Sequence, residues 1–418
     1  MTHEIWLPWL AIALLALHWA TVLWLEARQR AHVLRHQNQV PPAFETEISL
    51  DEHQAAARYV LAKSRWTSWS VSAGFLEAVC WTFAGGLTSL QAWVTHTLGD
   101  GLGAQLSFVA AFVLIHALIQ APLSWYSTFV VEAQHGFNRS SLGLWVIDQI
   151  KGLALGLALG LALLAGVLQL MSQGGVFWWV WVWFLWMTFQ VVLMIVAPRW
   201  LMPLFNTFKP FDDAHIRPRA EALMQSVGFK AKDFQVMDAS RRSAHANAFF
   251  TGLGSEKRVV FFDTLLDKLN PGEVIAVLAH ELGHFKLRHV TWMFIGQALI
   301  SAVFLFGLDL LQSRMDVLGA LGIHPASDAG RHALLLLSLY WLLPPALFFL
   351  SPLSSALSRR REYQADAFAV QHAQVMDLRN ALVKLYKGNA STLTPDPLYV
   401  WFHHSHPPAL DRLRQLHV

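Results

Sequence analysis

Residues 152–197 read GLALGLALGLALLAGVLQLMSQGGVFWWVWVWFLWMTFQVVLMIVA and contain no Asp, Glu, Lys or Arg. A helix needs roughly 20 apolar residues to cross the hydrocarbon core of a bilayer, which is about 30 Å thick. The stretch is long enough for two such helices, with a short polar turn at 172–175 between them. It therefore predicts a helical hairpin within a membrane, and its five tryptophans are typical of the bilayer interface.

Five further apolar stretches have a similar length. Together with the quoted pair they predict seven membrane-spanning helices, at 5–25, 67–95, 102–131, 152–171, 176–197, 290–308 and 332–357. The last span contains Pro344, Pro345 and Pro352, which we expect to bend it. The first span lacks a positive leader and a small-residue cleavage site, so we expect an uncleaved anchor and not a signal peptide.

The composition of the whole chain agrees with a membrane protein. Hydrophobic residues make up 55% of the 418 positions and charged residues only 14%, against about a quarter in a soluble domain. These values exclude a disordered chain and an ordinary cytosolic enzyme. A net charge of +3 from scattered basic residues also excludes a typical nucleic-acid binder. Cys80 is the only cysteine, so no internal disulfide can form.

The basic residues predict how the chain is oriented. Of the 31 Lys and Arg residues, 29 lie in the segments 26–66, 132–151, 199–289 and 358–418, and the alternating loops 96–101, 172–175 and 309–331 hold only two. Basic residues are retained in cytoplasmic loops. We therefore expect the N-terminus outside and the C-terminus in the cytoplasm, in a bacterial inner membrane or otherwise the endoplasmic reticulum. The short hydrophilic loops favour the bacterial location.

Two regions divide the chain. Residues 1–198 are predicted to form a membrane region with five spans, and residues 199–418 a second domain that includes spans six and seven. Within 199–289 the pattern predicts a helix at 214–227 and strands at 234–237, 246–250 and 258–262. The expected fold is mainly α, with a small β-sheet on the cytoplasmic side.

The sequence HELGH at 280–284 lies in a segment with helical character, 271–289. His280 and His284 are one helical turn apart on the same face, so both can bind one Zn²⁺. Glu281 is offset by about 100° and suits a general base beside the metal. The alternative interpretation is two surface histidines on a helix that enters the bilayer.

A catalytic zinc site needs a third protein ligand and an open position for water. The best candidate is Glu362 in the sequence RRREYQAD at 359–366, and Asp366 lies on the same helical face, where it can orient a ligand histidine. The alternative is a basic stop after a membrane span, with the two acids forming ordinary ion pairs.

These two motifs, with two spans between them, resemble those of the type I CAAX prenyl endoproteases, which are integral-membrane zinc metallopeptidases of the gluzincin type. Further segments agree with the family in order along roughly residues 55–415. They are EAQHGFN at 132–138, APRWLMPLFN at 197–206, SAHANAF at 243–249, FDTLL at 262–266 and SHPPALDR at 405–412.

The resemblance implies that residues 199–418 form a zinc metallopeptidase domain. It implies one zinc ion bound by His280, His284 and Glu362, with Glu281 as general base and acid and Asp366 behind the ligands. It also implies that Asn247, Ala248 and Phe249 hold a peptide substrate by strand addition. His406 is implied as a donor to the developing oxyanion. Asn247 can instead be a turn residue and His406 a helix-entry residue.

The family arranges seven helices as a barrel around a hydrated intramembrane chamber. Glu77 lies within the second predicted span, where a lipid-facing acid costs about 2.5 kcal/mol or more. With His116 and Gln120 it can line such a chamber, or it can form a hydrogen bond between helices. Both interpretations stand at the level of sequence.

We therefore expect a zinc endopeptidase that cleaves near the C-terminus of prenylated or otherwise membrane-presented peptides. Its partners are the peptide or protein substrate and the lipid bilayer, and the sequence predicts no oligomeric state. Two alternatives remain: a quality-control protease of membrane proteins that needs no prenyl group, and a non-catalytic scaffold that binds lipid or peptide. The intact base, Glu281, argues against the scaffold.

Overall fold

Apolar helices dominate the computed structural model, which describes residues 7–229, 233–251, 258–325 and 330–416. Six of the described helices are long and apolar enough to cross a membrane. They are α1 (Leu7–His36), α4 (Leu102–Tyr126), α5 (Leu142–Gln173), α6 (Trp178–Val196), α11 (His289–Arg314) and α13 (Arg331–Phe348). A seventh crossing arises if α2 (Leu50–Thr82) and α3 (Gly86–Leu98), which meet at a bend of 50°, form one span. The predicted mainly α, multi-pass architecture is confirmed.

The remaining elements lie between or after these helices. The other helices are α7 (Met202–Phe205), α8 (Ile216–Ser226), α9 (Asp263–Leu266), α10 (Pro271–Lys286), α12 (Val317–Ala320), α14 (Ser351–His372), α15 (Val375–Gly388), α16 (Pro397–His403) and α17 (Ala409–Gln415). The strands are β1 (Phe208–Pro210), β2 (Asp233–Met237), β3 (Ala248–Thr251) and β4 (Arg258–Phe262).

The second predicted span differs from the structure at both ends. Helix α2 begins much earlier, at Leu50, because Ser49 and Glu52 form a capping box that satisfies the first backbone N–H groups. The helix then ends at Thr82, and Gly85 adopts a left-handed conformation with φ 83° before α3 starts. The span predicted at 67–95 is therefore two helices joined at a glycine-containing break.

The seventh predicted span also divides. Helix α13 accommodates Pro344 and Pro345 near its end and stops at Phe348. Helix α14 starts at Ser351, with Pro352 in its first turn, where the missing N–H of proline costs no hydrogen bond. The region predicted as one bent span at 332–357 is two helices, and Glu362 lies in the middle of the second one.

The membrane helices surround an apolar cavity of about 620 Å³, which α4, α5, α6, α11 and α13 line. On the outside, large side chains such as Leu118, Trp292 and Val303 are mostly exposed. Exposed apolar patches of this extent are not stable in water, so these surfaces suit lipid.

The four strands form one sheet in the order β1-β2-β4-β3. Strand β2 runs parallel to β4 and antiparallel to β1, and β3 runs antiparallel to β4 with Ala248 opposite Phe261. Phe261 is fully buried against the core that α8, α10 and α15 share with the sheet. Strand β3 is an edge strand, with one side available for pairing. The sequence did not predict β1, whose three residues are too few for a pattern.

Candidate metal centre

Helix α10 carries the HELGH motif, and its start is fixed locally. Asn270 accepts a hydrogen bond from the Glu273 backbone N–H, the Glu273 side chain accepts one from the Asn270 N–H, and Pro271 occupies the first turn. Further along, a Cβ atom added at Gly283 would lie 3.0 Å from the Ala365 Cα of α14. Helices α10 and α14 therefore touch backbone to backbone at the motif, because this position is glycine.

This close packing brings three polar side chains together. His280 Nε2 lies 3.2 Å from His284 Nε2, and Glu362 places Oε2 3.5 Å from the first nitrogen and Oε1 3.2 Å from the second. His280 and Glu362 are buried, and His284 is partly buried. Glu362, more than 70 positions further along the chain, thus presents its carboxylate to the same point as the nitrogens of His280 and His284.

The set fits a metal ion of the zinc type. Nitrogen and oxygen ligands lie about 2.0–2.2 Å from a tetrahedral Zn²⁺, which separates them from one another by about 3.4 Å. The two imidazole nitrogens are 3.2 Å apart, and each lies 3.2–3.5 Å from the nearer oxygen of Glu362, which agrees with that value. In addition, the buried Oε2 of Glu362 has no hydrogen bond of normal geometry among the described residues. A cation would satisfy this oxygen and both imidazoles.

Asp366 lies directly behind His280. Its Oδ1 is 2.9 Å from His280 Nδ1, so the ring turns Nε2 towards the other two ligand atoms. Arg412 of α17 donates from Nε to Asp366 Oδ2 at 2.8 Å and from its second nitrogen to Oδ1 at 2.5 Å. Arg412 is itself buried. The C-terminal helix therefore holds the Asp366 carboxylate, which in turn orients the His280 ring.

A partner of His284 was missed at the sequence level. His289 Nδ1 lies 3.0 Å from His284 Nδ1, and Gln364 Oε1 lies 3.1 Å from His289 Nε2. The contact depends on Arg288, which has a left-handed φ of 57° and redirects the chain between α10 and α11. No sequence pattern indicates a positive φ at an arginine, because such residues are uncommon there.

The electrostatics of this cluster depend on burial and on hydrogen bonds. Burial alone would lower the pKa of His280, but hydrogen bonds to Asp366 and Glu362 outweigh it and raise the pKa to about 9. Burial opposes the charge on Glu362 as well, yet the neighbouring imidazoles of His280, His284 and His406 hold its pKa well below the usual carboxyl range. In the metal-free protein a proton on His280 thus takes the place of the cation.

Glu281 lies beside the three ligand atoms and does not belong to their set. Burial raises its pKa above that of an ordinary glutamate, and the adjacent Glu362 acts in the same direction, while His280 and His284 oppose the shift. A carboxylate with a raised pKa holds a proton more tightly, which is the property of a group that accepts and later returns one.

His406 is the most exposed member of the cluster, with 64% of its side chain accessible. Its Nδ1 lies 2.7 Å from Glu362 Oε2. The structure therefore brings His406 to the predicted site, on the solvent side of the ligand carboxylate.

The segment predicted to hold substrate lies along the sheet edge. The Asn247 carbonyl accepts a hydrogen bond from the Phe262 N–H, and its side-chain oxygen accepts one from the Ala248 N–H. Asn247 is exposed, Ala248 is buried and Phe249 is partly buried. This alternation agrees with a half-covered edge strand.

Glu77 forms hydrogen bonds between membrane helices. Its carboxylate accepts from His116 Nδ1 at 2.7 Å, from Gln120 Nε2 at 2.8 Å and from Trp81 Nε1 at 3.3 Å. The other nitrogen of His116 meets the Tyr340 hydroxyl at 3.3 Å. The acid is buried and does not line the apolar cavity. The structure therefore favours the helix–helix interpretation over a chamber lining.

Two family models match the chain. Residues 29–207 match the CAAX prenyl protease N-terminal region, described as five membrane helices, and residues 210–418 match peptidase family M48.

Curated proteins and a solved structure are similar over most of the chain. A CAAX prenyl protease 1 homolog of Arabidopsis thaliana is 36% identical over 74% of this chain and 73% of its own length. The homolog of Homo sapiens is 30% identical over 97% of this chain and 94% of its own length. The crystal structure of S. mikatae Ste24p superimposes with a TM-score of 0.91 and 27% identity, covering 99% of both chains.

Proposed function

This chain belongs to peptidase family M48, and from that premise we propose that it is a zinc endopeptidase that cleaves near the C-terminus of prenylated, CAAX-type peptides. Membership of the family makes the chain a multi-pass membrane metalloprotease. To this we add the identity of the metal, the class of substrate and the roles of individual residues. The observation that carries it is the convergence of His280, His284 and Glu362 on one point.

When bound by these three side chains, a zinc ion would supply a Lewis acid for the scissile carbonyl and would lower the pKa of a water molecule. Glu281 accepts a proton from the attacking water and delivers it to the leaving amine, for which its raised pKa suits it. Asp366 and Arg412 keep the His280 ring in the orientation that the site requires. His406 or Asn247 donates to the developing oxyanion, and an extended peptide pairs with the free side of β3.

The positions of the charges along the chain support a cytoplasmic metal centre. The basic segments that the sequence places inside include the sheet, α10 and the C-terminal helices α15 to α17. In this orientation a lipid-anchored C-terminal peptide reaches the site from the cytoplasmic surface of the membrane.

The experiment that tests the proposal combines metal analysis of the purified protein with cleavage of two matched peptides, one farnesylated and one not. We expect about one zinc per chain and a kcat/KM at least about tenfold higher for the farnesylated peptide, because burial of two methylenes already accounts for that factor. Equal cleavage of both peptides would favour the quality-control protease. A zinc-loaded protein that cuts neither peptide would favour the non-catalytic scaffold.

A further inference from the structure

A cavity of about 600 Å³ adjoins the metal centre, and His406 and Arg412 form part of its wall. Its described lining includes one lysine, one arginine and four histidines, but no aspartate or glutamate. The Asn389 side-chain amide adds further hydrogen-bond donors. A concave site with several donors and no carboxylate of its own suits an anionic group of a ligand.

Lys63 is the cation of this wall that is best placed to meet a ligand. Arg412 is committed to Asp366, and burial lowers the pKa of His404 to about 4, so that imidazole is neutral. The Lys63 ammonium donates to the Tyr59 hydroxyl at 3.3 Å, and 52% of its side chain is exposed. An ammonium has three N–H donors, so two remain for a ligand.

Glu132, which is not part of the cavity lining, balances part of the positive charge of Lys63. It accepts hydrogen bonds from the Tyr59 hydroxyl at 2.8 Å, and it lies 3.7 Å from both Lys63 Nζ and His245 Nε2. The Lys63–Glu132 contact is an ion pair without a hydrogen bond, and His245 Nε2 also lies 3.4 Å from the Tyr59 hydroxyl. Glu132 therefore holds the Lys63 ammonium in position without occupying its donors.

The sheet indicates which end of a peptide would arrive here. A peptide that pairs antiparallel with the free side of β3 runs opposite to it, from Thr251 towards Ala248, so its C-terminus lies at the His245 end. Beyond that end, the backbone N–H groups are already used. Ala246 N–H donates a hydrogen bond to Asn389 Oδ1, and Ala244 N–H donates one to the Phe137 carbonyl. The backbone available for pairing thus stops where the cavity begins.

We propose that this cavity receives the C-terminal carboxylate of the peptide substrate, with the Lys63 ammonium as its main partner and His245 beside it. The inference rests on the proposed peptidase function and adds a requirement to it. Charge at the peptide terminus, and not only the lipid and the residues around the cut, determines which peptides are cleaved. Lys63 is in this view a specificity-determining residue.

The test uses one farnesylated peptide in two forms, with a free C-terminal carboxylate and with a C-terminal carboxamide. The wild-type protein should cleave the carboxylate form with a kcat/KM at least about tenfold higher, since a charge-assisted hydrogen bond is lost in the amide. In Lys63→Met the ratio of the two rates should fall towards one, and Lys63→Arg should largely preserve it. Lys209→Met, on β1 at the opposite edge of the sheet, is the matched control and should behave as wild type.

Affinities of both peptides for the Glu281→Gln variant provide a measurement that does not depend on turnover, and they should show the same preference for the carboxylate. Equal cleavage and equal binding of the two forms would overturn this inference alone and leave the peptidase function intact. A carboxylate preference that persists in Lys63→Met would remove Lys63 from the site. If the wild-type protein cleaved neither form, the proposed function would fail, and this inference with it.

Discussion

Two buried glutamates with histidine neighbours, Glu77 among the membrane helices and Glu362 at the metal centre, look alike in sequence and differ in structure. At Glu77, three donors on two helices supply hydrogen bonds to both carboxylate oxygens. At Glu362, two imidazole nitrogens face each other at 3.2 Å and one oxygen lacks a hydrogen bond of normal geometry. The first cluster is complete by itself, and the second needs a proton or a metal ion.

The comparison shows that a count of donors and acceptors separates a structural cluster from a metal site. Residue types alone do not, since both clusters combine glutamate with histidine. The following predictions test that difference, beginning with the largest expected effect.

Glu362→Ala should reduce bound zinc from about one ion per chain to nearly none, and peptidase activity should fall to background, because a ligand is lost from a three-ligand site. Glu77→Ala is the matched control, and it should keep its zinc, because none of its partners belongs to the metal centre. Metal analysis of both purified variants checks the pair. Full zinc occupancy in Glu362→Ala would exclude Glu362 as a ligand.

Glu281→Gln should retain the metal while kcat falls by about 10²–10⁴-fold, since the amide cannot accept the proton from water. Zinc content and steady-state kinetics on the farnesylated peptide measure the two effects separately. Wild-type turnover in this variant would show that another group is the base.

Asp366→Asn should weaken zinc binding by about 10–100-fold, as is usual when the partner of a ligand histidine is changed. The amide keeps the size of the side chain but loses the charge that pairs with His280 and Arg412. Competition with a chelator of known affinity measures the change. Asp411→Asn, at a partly exposed position of α17, serves as the control.

Zinc binding should release about one proton from His280 at pH 7.5, because its pKa in the metal-free site is about 9. Below pH 9 the proton must leave before the metal binds, so the apparent affinity should rise by about tenfold per pH unit until pH 9. Titration calorimetry in buffers of different ionisation enthalpy counts the protons. Asp366→Asn should release fewer, since the hydrogen bond that raises the pKa is weakened, and a binding enthalpy independent of buffer would contradict the prediction.

Glu77→Ala should lower the free energy of unfolding by about 1–3 kcal/mol, since it leaves the buried donors of His116 and Gln120 without their acceptor. Chemical or thermal denaturation in detergent measures the loss. Glu221→Ala, whose partner is the exposed Arg217, should change stability by no more than about 0.5 kcal/mol. Equal stability of the two variants would mean that the Glu77 cluster is not structural.

Several features of the fold and the site could be predicted because they depend on local sequence. Apolar length determines which segments cross the bilayer, and a spacing of four places His280 and His284 on one face of α10. The observed start of that helix, at Pro271, agrees with the helical segment predicted at 271–289. The ends of spans two and seven were wrong, because a capping box extends α2 and a break at Phe349 and Leu350 separates α13 from α14.

The sequence by itself thus determined the membrane class, the helix that carries HELGH and the pairing of its two histidines, since short-range hydrogen bonds and hydrophobic length fix these features. Only the tertiary structure decided that Glu362 reaches them, through the contact of Gly283 with Ala365. It also decided that both carboxylate oxygens of Glu77 accept hydrogen bonds, while Oε2 of Glu362 accepts none of normal geometry among the described residues. Both outcomes depend on atoms far apart in the chain, whose separations are set by helix packing and not by any local pattern.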